Sequence, residues 1–224
     1  LGLSPEAFAL AFDTVKLREV LGANLPLVWG IPSVDGFDGG LLPTKYYSGF
    51  SALLLQDSTP PTSDGRLREL LALPECGGAC IPDQRWLNLT NTHYLIIDKN
   101  YDLNHEVIFY DTLFTAANGA TFANPQGFTA DAVDVLCAPC SGLSIVYGEE
   151  VSQSEAMPVG GYERRRFRLS QPTAAPDIRI SADDTAQIRA VTLVDTRTGD
   201  FQQLAPEPWL RVLSSDVKLY ENGA

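Results

Sequence analysis

The sequence is short of basic residues, histidine and long apolar runs. Its 16 lysines and arginines stand against 28 aspartates and glutamates, which gives a net charge of −12. This balance argues against nucleic acid and anionic lipid as partners, because neither would meet a basic surface. No run approaches the roughly 18–20 apolar residues of a membrane-spanning helix. With 224 residues, the chain is long enough for one large domain or two small ones.

The sequence also lacks the signatures of common catalytic sites. His93 and His105 stand without a serine or cysteine pattern around them, so a catalytic triad is not expected. There is no GxSxG, HExxH or phosphate-cradling glycine loop, and no acid pair typical of a glycosidase stands out. The sequence therefore predicts no catalytic residue, no metal ion and no cofactor within this chain.

The four cysteines form two close pairs, Cys76/Cys80 and Cys137/Cys140. Two disulfides, local or crossed between the pairs, are the favoured interpretation if the compartment is oxidising. The Cx3C and Cx2C spacings also fit the two halves of a zinc site. A redox-active Cys137–Cys140 pair is a third alternative, although no helix follows it to lower the thiol pKa.

The segment 24–47 is rich in proline, glycine and aromatic residues and has neither helical nor alternating periodicity. We predict a long, defined loop there. Asp35 and Asp38 could bind a cation or sugar hydroxyls, although capping of their own turns is the simpler interpretation. The aromatic side chains could form a stacking platform for a glycan, or they could belong to the core. The candidate ligand-binding residues of this segment are Trp29, Asp35, Phe37, Asp38, Lys45 and Tyr46.

Helical patterns dominate the first ninety residues. Ser4-Pro5-Glu6 supplies an N-cap and a first-turn proline for the first helix. Three further helices are predicted, from Pro43 through Leu55, over Asp64–Leu71 and within Pro82–Asn91. A strand over Thr92–Asp98 is nearly continuously apolar, so we expect both of its faces to be covered. A second strand is predicted over Glu106–Asp111, after a turn.

From Leu113 onwards, short alternating runs separated by turn residues replace the helical patterns. The segment Asp195–Asp200 is typical of a hairpin. Strands are predicted near Phe128–Leu136, Leu143–Tyr147, Tyr162–Leu169, Asp177–Ile180, Ile188–Asp195 and Phe201–Leu204. Strands at this spacing are typical of a β-sandwich or jelly roll.

A last strand-like run, Asp216–Glu221, needs a partner outside the sandwich, and the strand around Tyr94–Ile97 is the natural one. The predicted fold class is therefore α+β. A small α/β domain, with a few helices over a short sheet, would comprise residues 1–112 and 207–224. An antiparallel β-sandwich of jelly-roll, carbohydrate-binding-module-like type would be inserted into it at residues 113–206.

Tyr162, Arg164, Arg166 and Arg168 alternate on one face of their predicted strand. Such a face could bind an acidic or phosphorylated saccharide or a polyprenyl phosphate. The alternatives are a solvated face paired with nearby acids, or an edge strand protected by charge. Tyr162, Arg164 and Arg166 are the candidate ligand-binding residues here.

Four stretches of the sequence together resemble one protein family. They are Asn24–Pro43, Asp64–Leu71, Leu87–Lys99 and Val217–Asn222. As a set they are similar to the extracytoplasmic part of YfhO-like bacterial polytopic membrane proteins, which are related to GT-C type glycosyltransferases. The sequence departs from the family at three points. Phe37 stands where the family usually has Tyr, and Asn91-Thr92-His93 replaces the commoner Asn-Val-Lys. The stretch from about Leu113 to Ala205 is also longer than in many members.

The resemblance implies a domain on the extracytoplasmic side of the bacterial cell membrane. Its partners would be its own membrane-spanning region and a cell-envelope glycan or lipid-linked sugar. Because the chain begins at Leu1 rather than Met, we expect it to be a segment of such a longer protein. The catalytic acid of GT-C enzymes lies in an early loop between membrane helices, so no catalytic residue is transferred to this chain. The alternative is a structural or assembly module without a ligand of its own.

Overall fold

The computed structural model describes residues 4–19, 25–34, 45–55, 71, 80–97, 103–116, 118–215 and 218–223. The chain divides into two compact units, Leu1–Asp98 and Lys99–Ala224. Within the described ranges, no helix is both long enough and apolar enough to cross a membrane.

The described residues of the first unit form helices and one strand. They are α1 (Pro5–Glu19), α2 (Leu25–Val28), α3 (Lys45–Ser51) with a 3₁₀ turn after it (Ala52–Leu54), α4 (Gln84–Leu89) and β1 (Tyr94–Ile96). Ser4 caps α1 as predicted, because its Oγ accepts a hydrogen bond from the Ala7 amide at 3.2 Å. The helices predicted from Pro43 and within Pro82–Asn91 are confirmed as α3 and α4. The helix predicted over Asp64–Leu71 lies outside the described residues, apart from its last residue.

Two predictions for this unit are wrong. Segment 24–47 is not a continuous loop, because Leu25–Val28 forms α2. Pro26 is tolerated there, since the first turn of a helix does not need its missing N–H. Strand β1 is not covered on both faces, because the Tyr94 side chain is 58% exposed. An apolar run indicates that a strand can be buried, but its spatial neighbours decide whether it is.

The second unit is built from antiparallel strands. They are β2 (Leu103–His105), β3 (Ile108–Tyr110), β4 (Thr121–Ala123), β5 (Ala130–Cys137), β6 (Ser144–Tyr147), β7 (Glu149–Val151), β8 (Glu155–Val159), β9 (Tyr162–Thr173), β10 (Asp177–Ser181), β11 (Ile188–Asp195), β12 (Asp200–Leu204), β13 (Leu210–Ser214) and β14 (Leu219–Asn222). One sheet has the order β4-β10-β6-β7 and another the order β12-β11-β5-β9-β8. Strands β2 and β3 form a hairpin, and β13 pairs with β14.

The two larger sheets of this unit share one apolar core. Side chains alternate between the faces of a strand, so every second residue from Val133 to Cys137 in β5, and Phe167 and Leu169 in β9, points into this core. Its buried members include Phe122, Val133, Val135, Ile145, Phe167, Ile178, Ile180, Val191 and Leu193. The intervening residues of these two strands, such as Asp134 and Leu136 of β5 and Arg166 of β9, therefore lie on the outer face of the five-stranded sheet.

That outer face is covered in part by the β2–β3 hairpin. Ile108 and Tyr110 of β3 are buried in a second apolar cluster with Ala132, Leu136 and Val194. Strands β5 and β11 are consequently buried on both faces. A polar group on this part of the outer face needs a hydrogen-bonding partner, because it is removed from water.

All six strands predicted between residues 128 and 204 are present. The hairpin predicted at Asp195–Asp200 joins β11 to β12, and Gly199 adopts a φ of +82° there. Strands β2, β4, β7, β8 and β13 are absent from the prediction, because each has only three to five residues and a run of that length is ambiguous without a clear apolar pattern. The fold is thus β-rich and antiparallel with a few short helices, which agrees with the predicted α+β class. The domain limits 1–112, 113–206 and 207–224 stay a prediction.

The strand predicted over Glu106–Asp111 is displaced. Glu106 and Val107 form the turn between β2 and β3, and the strand begins at Ile108. The turn residues have φ values of +52° and +68°, as in the type I′ turns that usually contain Asn-Gly. Neither Glu nor Val favours this conformation, so the sequence carries no turn signal at this point.

Candidate functional site

The candidate site lies on the outer face of the five-stranded sheet in the second unit. Strand β9 is internal, since it pairs with β5 on one side and β8 on the other. The register places Arg166 opposite both Asp134 of β5 and Glu155 of β8. The interpretation of this strand as a charge-protected edge is therefore wrong. Pairing with nearby acids, the other alternative, is what the structure contains.

Asp134 and Arg166 form a two-point ion pair in the interior. The Arg166 Nε and Nη2 atoms each donate a hydrogen bond of 2.7 Å to the Asp134 carboxylate, which is fully buried. The Tyr110 hydroxyl donates to the same carboxylate at 2.8 Å. The hydrogen bonds that Arg166 donates to Asp134 raise the pKa of Arg166. Burial, together with the Asp134 charge, raises the pKa of Tyr110 well above its ordinary value of 10.0. Arg166 therefore stays charged and Tyr110 stays neutral near neutral pH.

Glu106 joins two of the arginines from the tip of the hairpin. Its Oε2 accepts a hydrogen bond of 2.7 Å from Arg164 Nη1 and lies 3.3 Å from Arg166 Nη1. The Glu106 side chain is 46% exposed, whereas the Arg164 side chain is only 3% exposed. The hydrogen bond from Arg164 lowers the pKa of Glu106 below its ordinary value of 4.5. Glu106 therefore carries a negative charge at the solvent side of a buried, positively charged pair.

Arg168 is set apart from this cluster by its exposure. It donates two hydrogen bonds to Glu155, of 2.8 and 3.3 Å, and both side chains are exposed. An exposed pair of this kind contributes little to stability, because water and salt screen the charges. The prediction that the arginine face is solvated is therefore correct for Arg168 and wrong for Arg164, whose side chain is buried.

An open groove of about 420 Å³ lies where β5, β8 and β9 end. This volume falls in the range of small-molecule sites. Its lining combines apolar and polar side chains, among them Pro139, Ala156, Met157, Pro158, Tyr162 and Glu163. The Tyr162 ring has the Arg189 guanidinium 5.9 Å from its centroid. Arg164 Nη2 lies 3.7 Å from the sulfur of Met157, so the groove adjoins the arginine cluster.

A disulfide forms part of the groove lining. Cys137 and Cys140 are bonded to each other, with their Cα atoms 5.2 Å apart. Of the alternatives left open for these two cysteines, the local disulfide is the one present, and the zinc and crossed-disulfide alternatives are wrong for them. Cys80 is also disulfide-bonded, and Cys76 lies outside the described residues. In the described part of the chain, no group of three or more His, Cys, Asp or Glu side chains is placed to hold a metal ion.

The candidate residues of segment 24–47 belong to the first unit. Tyr46 lies in α3 with its side chain 88% exposed, and Trp29, just after α2, is also exposed. These two side chains are therefore not core residues. Lys45 is the first residue of α3. Asp35, Phe37 and Asp38 lie outside the described residues.

Sequence reasoning found the arginines of the site but missed the groups that bind them. Asp134 carried a usable signal, because an acid within the apolar run 130–137 has to find a partner when its strand is buried. Nothing in the sequence indicated that Glu106 and Tyr110 would contact this face of the sheet, because their position depends on how the β2–β3 hairpin packs. The groove was not foreseeable either, since its walls come from several strand ends.

No protein family model, curated protein or solved structure matches this chain. Its function is therefore inferred from the chemistry of the groove and of the arginine cluster. The resemblance to YfhO-like proteins stays a prediction.

Proposed function

We propose that this chain is the extracytoplasmic domain of a membrane-embedded, glycosyltransferase-like protein at the bacterial cell membrane. In this role it binds and positions a cell-envelope glycan or a lipid-linked sugar acceptor, while catalysis takes place elsewhere in the longer protein. The observation that carries the proposal is the open groove of about 420 Å³ beside Tyr162.

The groove offers the two kinds of contact that a sugar ring requires. Tyr162 is partly exposed and presents an apolar ring face with a hydroxyl at its tip, which suits the mixed surface of a saccharide. Glu163 adds a carboxylate acceptor to the lining of the groove, and the Arg189 guanidinium lies 5.9 Å from the centroid of the Tyr162 ring. Pro139, Pro158 and Met157 supply apolar walls. This combination of an apolar lining with a few polar groups is typical of small-molecule sites.

The disulfides support an extracytoplasmic location. Cys137 and Cys140 are bonded to each other, and Cys80 is bonded as well. Disulfides form and persist in oxidising compartments and are rare in the cytosol. Two packed antiparallel sheets with a groove at their strand ends are also compatible with a jelly-roll, carbohydrate-binding-module-like domain, and this part rests on analogy of fold.

Binding to a panel of cell-envelope glycans, measured by two-dimensional NMR on the isotope-labelled chain, tests the proposal. We expect at least one glycan to shift the amide signals around Tyr162. The Tyr162→Ala variant should bind it about tenfold more weakly, because the stacking surface is removed. Tyr94→Ala removes an exposed tyrosine from the first unit and should leave binding unchanged. A flat response to every glycan from a correctly folded chain would refute the proposal.

A structural or assembly role is the second candidate, and exposed apolar side chains of the first unit favour it. Large exposed residues there include Phe8, Leu10, Val28, Trp29 and Tyr46. Exposed apolar surface of this extent is typical of a contact with a partner or with another part of the same protein. Replacing Trp29 and Tyr46 with Glu in the longer protein should then reduce assembly, measured by co-purification, without changing glycan binding by the groove.

A further inference from the structure

The buried charges beneath the β2–β3 hairpin converge on one partly exposed carboxylate. Glu106 Oε2 lies 2.7 Å from Arg164 Nη1 and 3.3 Å from Arg166 Nη1. Two guanidinium groups thus point at a single oxygen position. An oxygen held by two guanidinium groups is the arrangement that proteins use to bind carboxylate and phosphate groups of ligands.

Two of the N–H donor groups of Arg164, at Nη2 and Nε, have a weak hydrogen-bond acceptor or none. Within the described residues, Glu106 is the carboxylate that bonds Arg164 directly, and the Tyr110 hydroxyl is a further oxygen neighbour. Its Nη2 faces the Met157 sulfur, which is a weak acceptor. Its buried Nε has no hydrogen-bond partner. A buried guanidinium with an unpaired N–H gains from an additional oxygen acceptor, because an unmade buried hydrogen bond is costly.

The Glu106 carboxylate can leave this position without disturbing the sheet. Its side chain is 46% exposed, so rotation toward solvent is open to it. It is carried by a turn in which both residues are left-handed, and the second is the β-branched Val107. Such a turn is less favourable in itself than an Asn-Gly turn, so its conformation depends on the contacts that the rest of the hairpin makes with the sheet. Arg166 stays fixed meanwhile by its two hydrogen bonds to Asp134.

We propose that Arg164 and Arg166 form a binding site for the oxyanion of a ligand, a carboxylate or a phosphate group, and that Glu106 occupies this site in the free protein. Glu106 is then an internal competitor that the ligand displaces. The inference goes beyond the proposed function, since the site stands whether or not the groove binds a neutral sugar. Met157 contacts Arg164 and also lines the groove, so an acidic saccharide is one source of the anion and a phosphate is another.

The test uses Glu106→Gln, which removes the competing charge and keeps the shape of the side chain. Inorganic phosphate, glucuronate and glucose are titrated at constant ionic strength, and binding is followed by calorimetry and by the thermal midpoint. We expect Glu106→Gln to bind phosphate or glucuronate about tenfold more tightly than the unaltered chain. The anion should also raise the midpoint of the variant. Glucose should have no effect.

Glu155→Gln is the matched control. It removes an acid from the neighbouring, exposed pair with Arg168, where no second guanidinium shares the oxygen position. It should therefore bind phosphate no better than the unaltered chain. A folded Glu106→Gln variant that gains no more affinity than Glu155→Gln would overturn the proposal. Preference for phosphate over glucuronate, or the reverse, identifies the source of the anion.

A measurement on the unaltered chain keeps the proposal testable if Glu106→Gln fails to fold. Displacement of Glu106 by a bound anion releases the tip of the hairpin, so phosphate should speed hydrogen exchange at the amides of β2 and β3. The amides of the β13–β14 pair serve as the internal reference and should not respond. Identical exchange in both hairpin strands with and without saturating phosphate and glucuronate would overturn the proposal on its own. The glycan panel tests binding at Tyr162, whereas hydrogen exchange tests displacement of Glu106. Either proposal can therefore be refuted without affecting the other.

Discussion

At the scale of single residues, Asp134 determines the chemistry of the outer sheet face. It is fully buried, and it accepts hydrogen bonds from Tyr110 and twice from Arg166. A buried ion pair adds little net stability over an apolar pair, because both charges have lost their hydration. Removing one partner is far more costly, because the other charge is left buried and unpaired. Asp134 is thus needed chiefly because Arg166 is there.

The first prediction concerns this pair. Asp134→Asn should lower the free energy of unfolding by about 3–5 kcal/mol, because Arg166 loses its buried counter-charge. Glu155→Gln, which breaks the exposed pair with Arg168, should lower it far less, because water and salt screen that pair. Urea denaturation followed by circular dichroism gives both values. Equal, small losses in the two variants would contradict the assignment of Asp134 as a buried, indispensable partner.

At the scale of elements, the β2–β3 hairpin is the part of the second unit that ordinary sequence rules describe least well. Its turn places Glu106 over the arginines and leaves Val107 at the tip, 78% exposed. Valine at a φ of +68° is unfavourable, because its branched side chain crowds the backbone in the left-handed region. Strain of this kind is retained where the surrounding structure fixes it, and it is frequent at functional sites.

The second prediction follows from this turn. Val107→Gly should raise the free energy of unfolding by up to about 1 kcal/mol, because glycine adopts the left-handed conformation without strain. The exposed side chain contributes little burial that could be lost. Val146→Gly, at an exposed position of β6 without a positive φ, should instead destabilise the chain by about 1 kcal/mol. Thermal and urea denaturation measure the change in the free energy of unfolding of both variants. Destabilisation by Val107→Gly would show that the turn is not strained.

At the scale of the whole molecule, the stability of the second unit depends on the core shared by the four-stranded and five-stranded sheets. Phe167 of β9 is fully buried there, among side chains from both sheets. Burial of large apolar side chains is the main favourable contribution to folding. The groove and the arginine cluster lie on strands that pack against this core. Loss of the core would therefore disturb both binding sites as well as lower the stability of the unit.

The third prediction tests that framework. Phe167→Ala should lower the free energy of unfolding by about 3–5 kcal/mol, because it leaves a cavity between the two sheets. Leu10→Ala, at an exposed position of α1, should change it by less than about 0.5 kcal/mol. Denaturation monitored by tryptophan fluorescence and circular dichroism measures both. A loss at Phe167 as small as that at Leu10 would mean that the sheets are not held together by this core.

The sequence by itself determined the elements with strong local patterns. Alternating apolar residues identified β5, β9 and β11, a capping serine identified the start of α1, and turn residues identified the β11–β12 hairpin. The same alternation placed Arg164, Arg166 and Arg168 on one face. The close spacing of Cys137 and Cys140 put their local disulfide among the favoured pairings. These features depend on neighbours within a few residues, and local periodicity and spacing record such neighbours.

Only the tertiary structure decided what those residues face. Arg166 meets Asp134 because β5 and β9 pair in one register, and Arg164 meets Glu106 because an atypical turn folds a hairpin over β9. The groove exists because the ends of three strands meet beside Tyr162. Contacts between residues tens of positions apart leave no local pattern, because their energy comes from packing and charge pairing in three dimensions. The sequence alone places the arginines on one face of β9. The tertiary structure brings Glu106 against two of them, Arg164 and Arg166, and so forms the proposed anion site that Glu106 occupies.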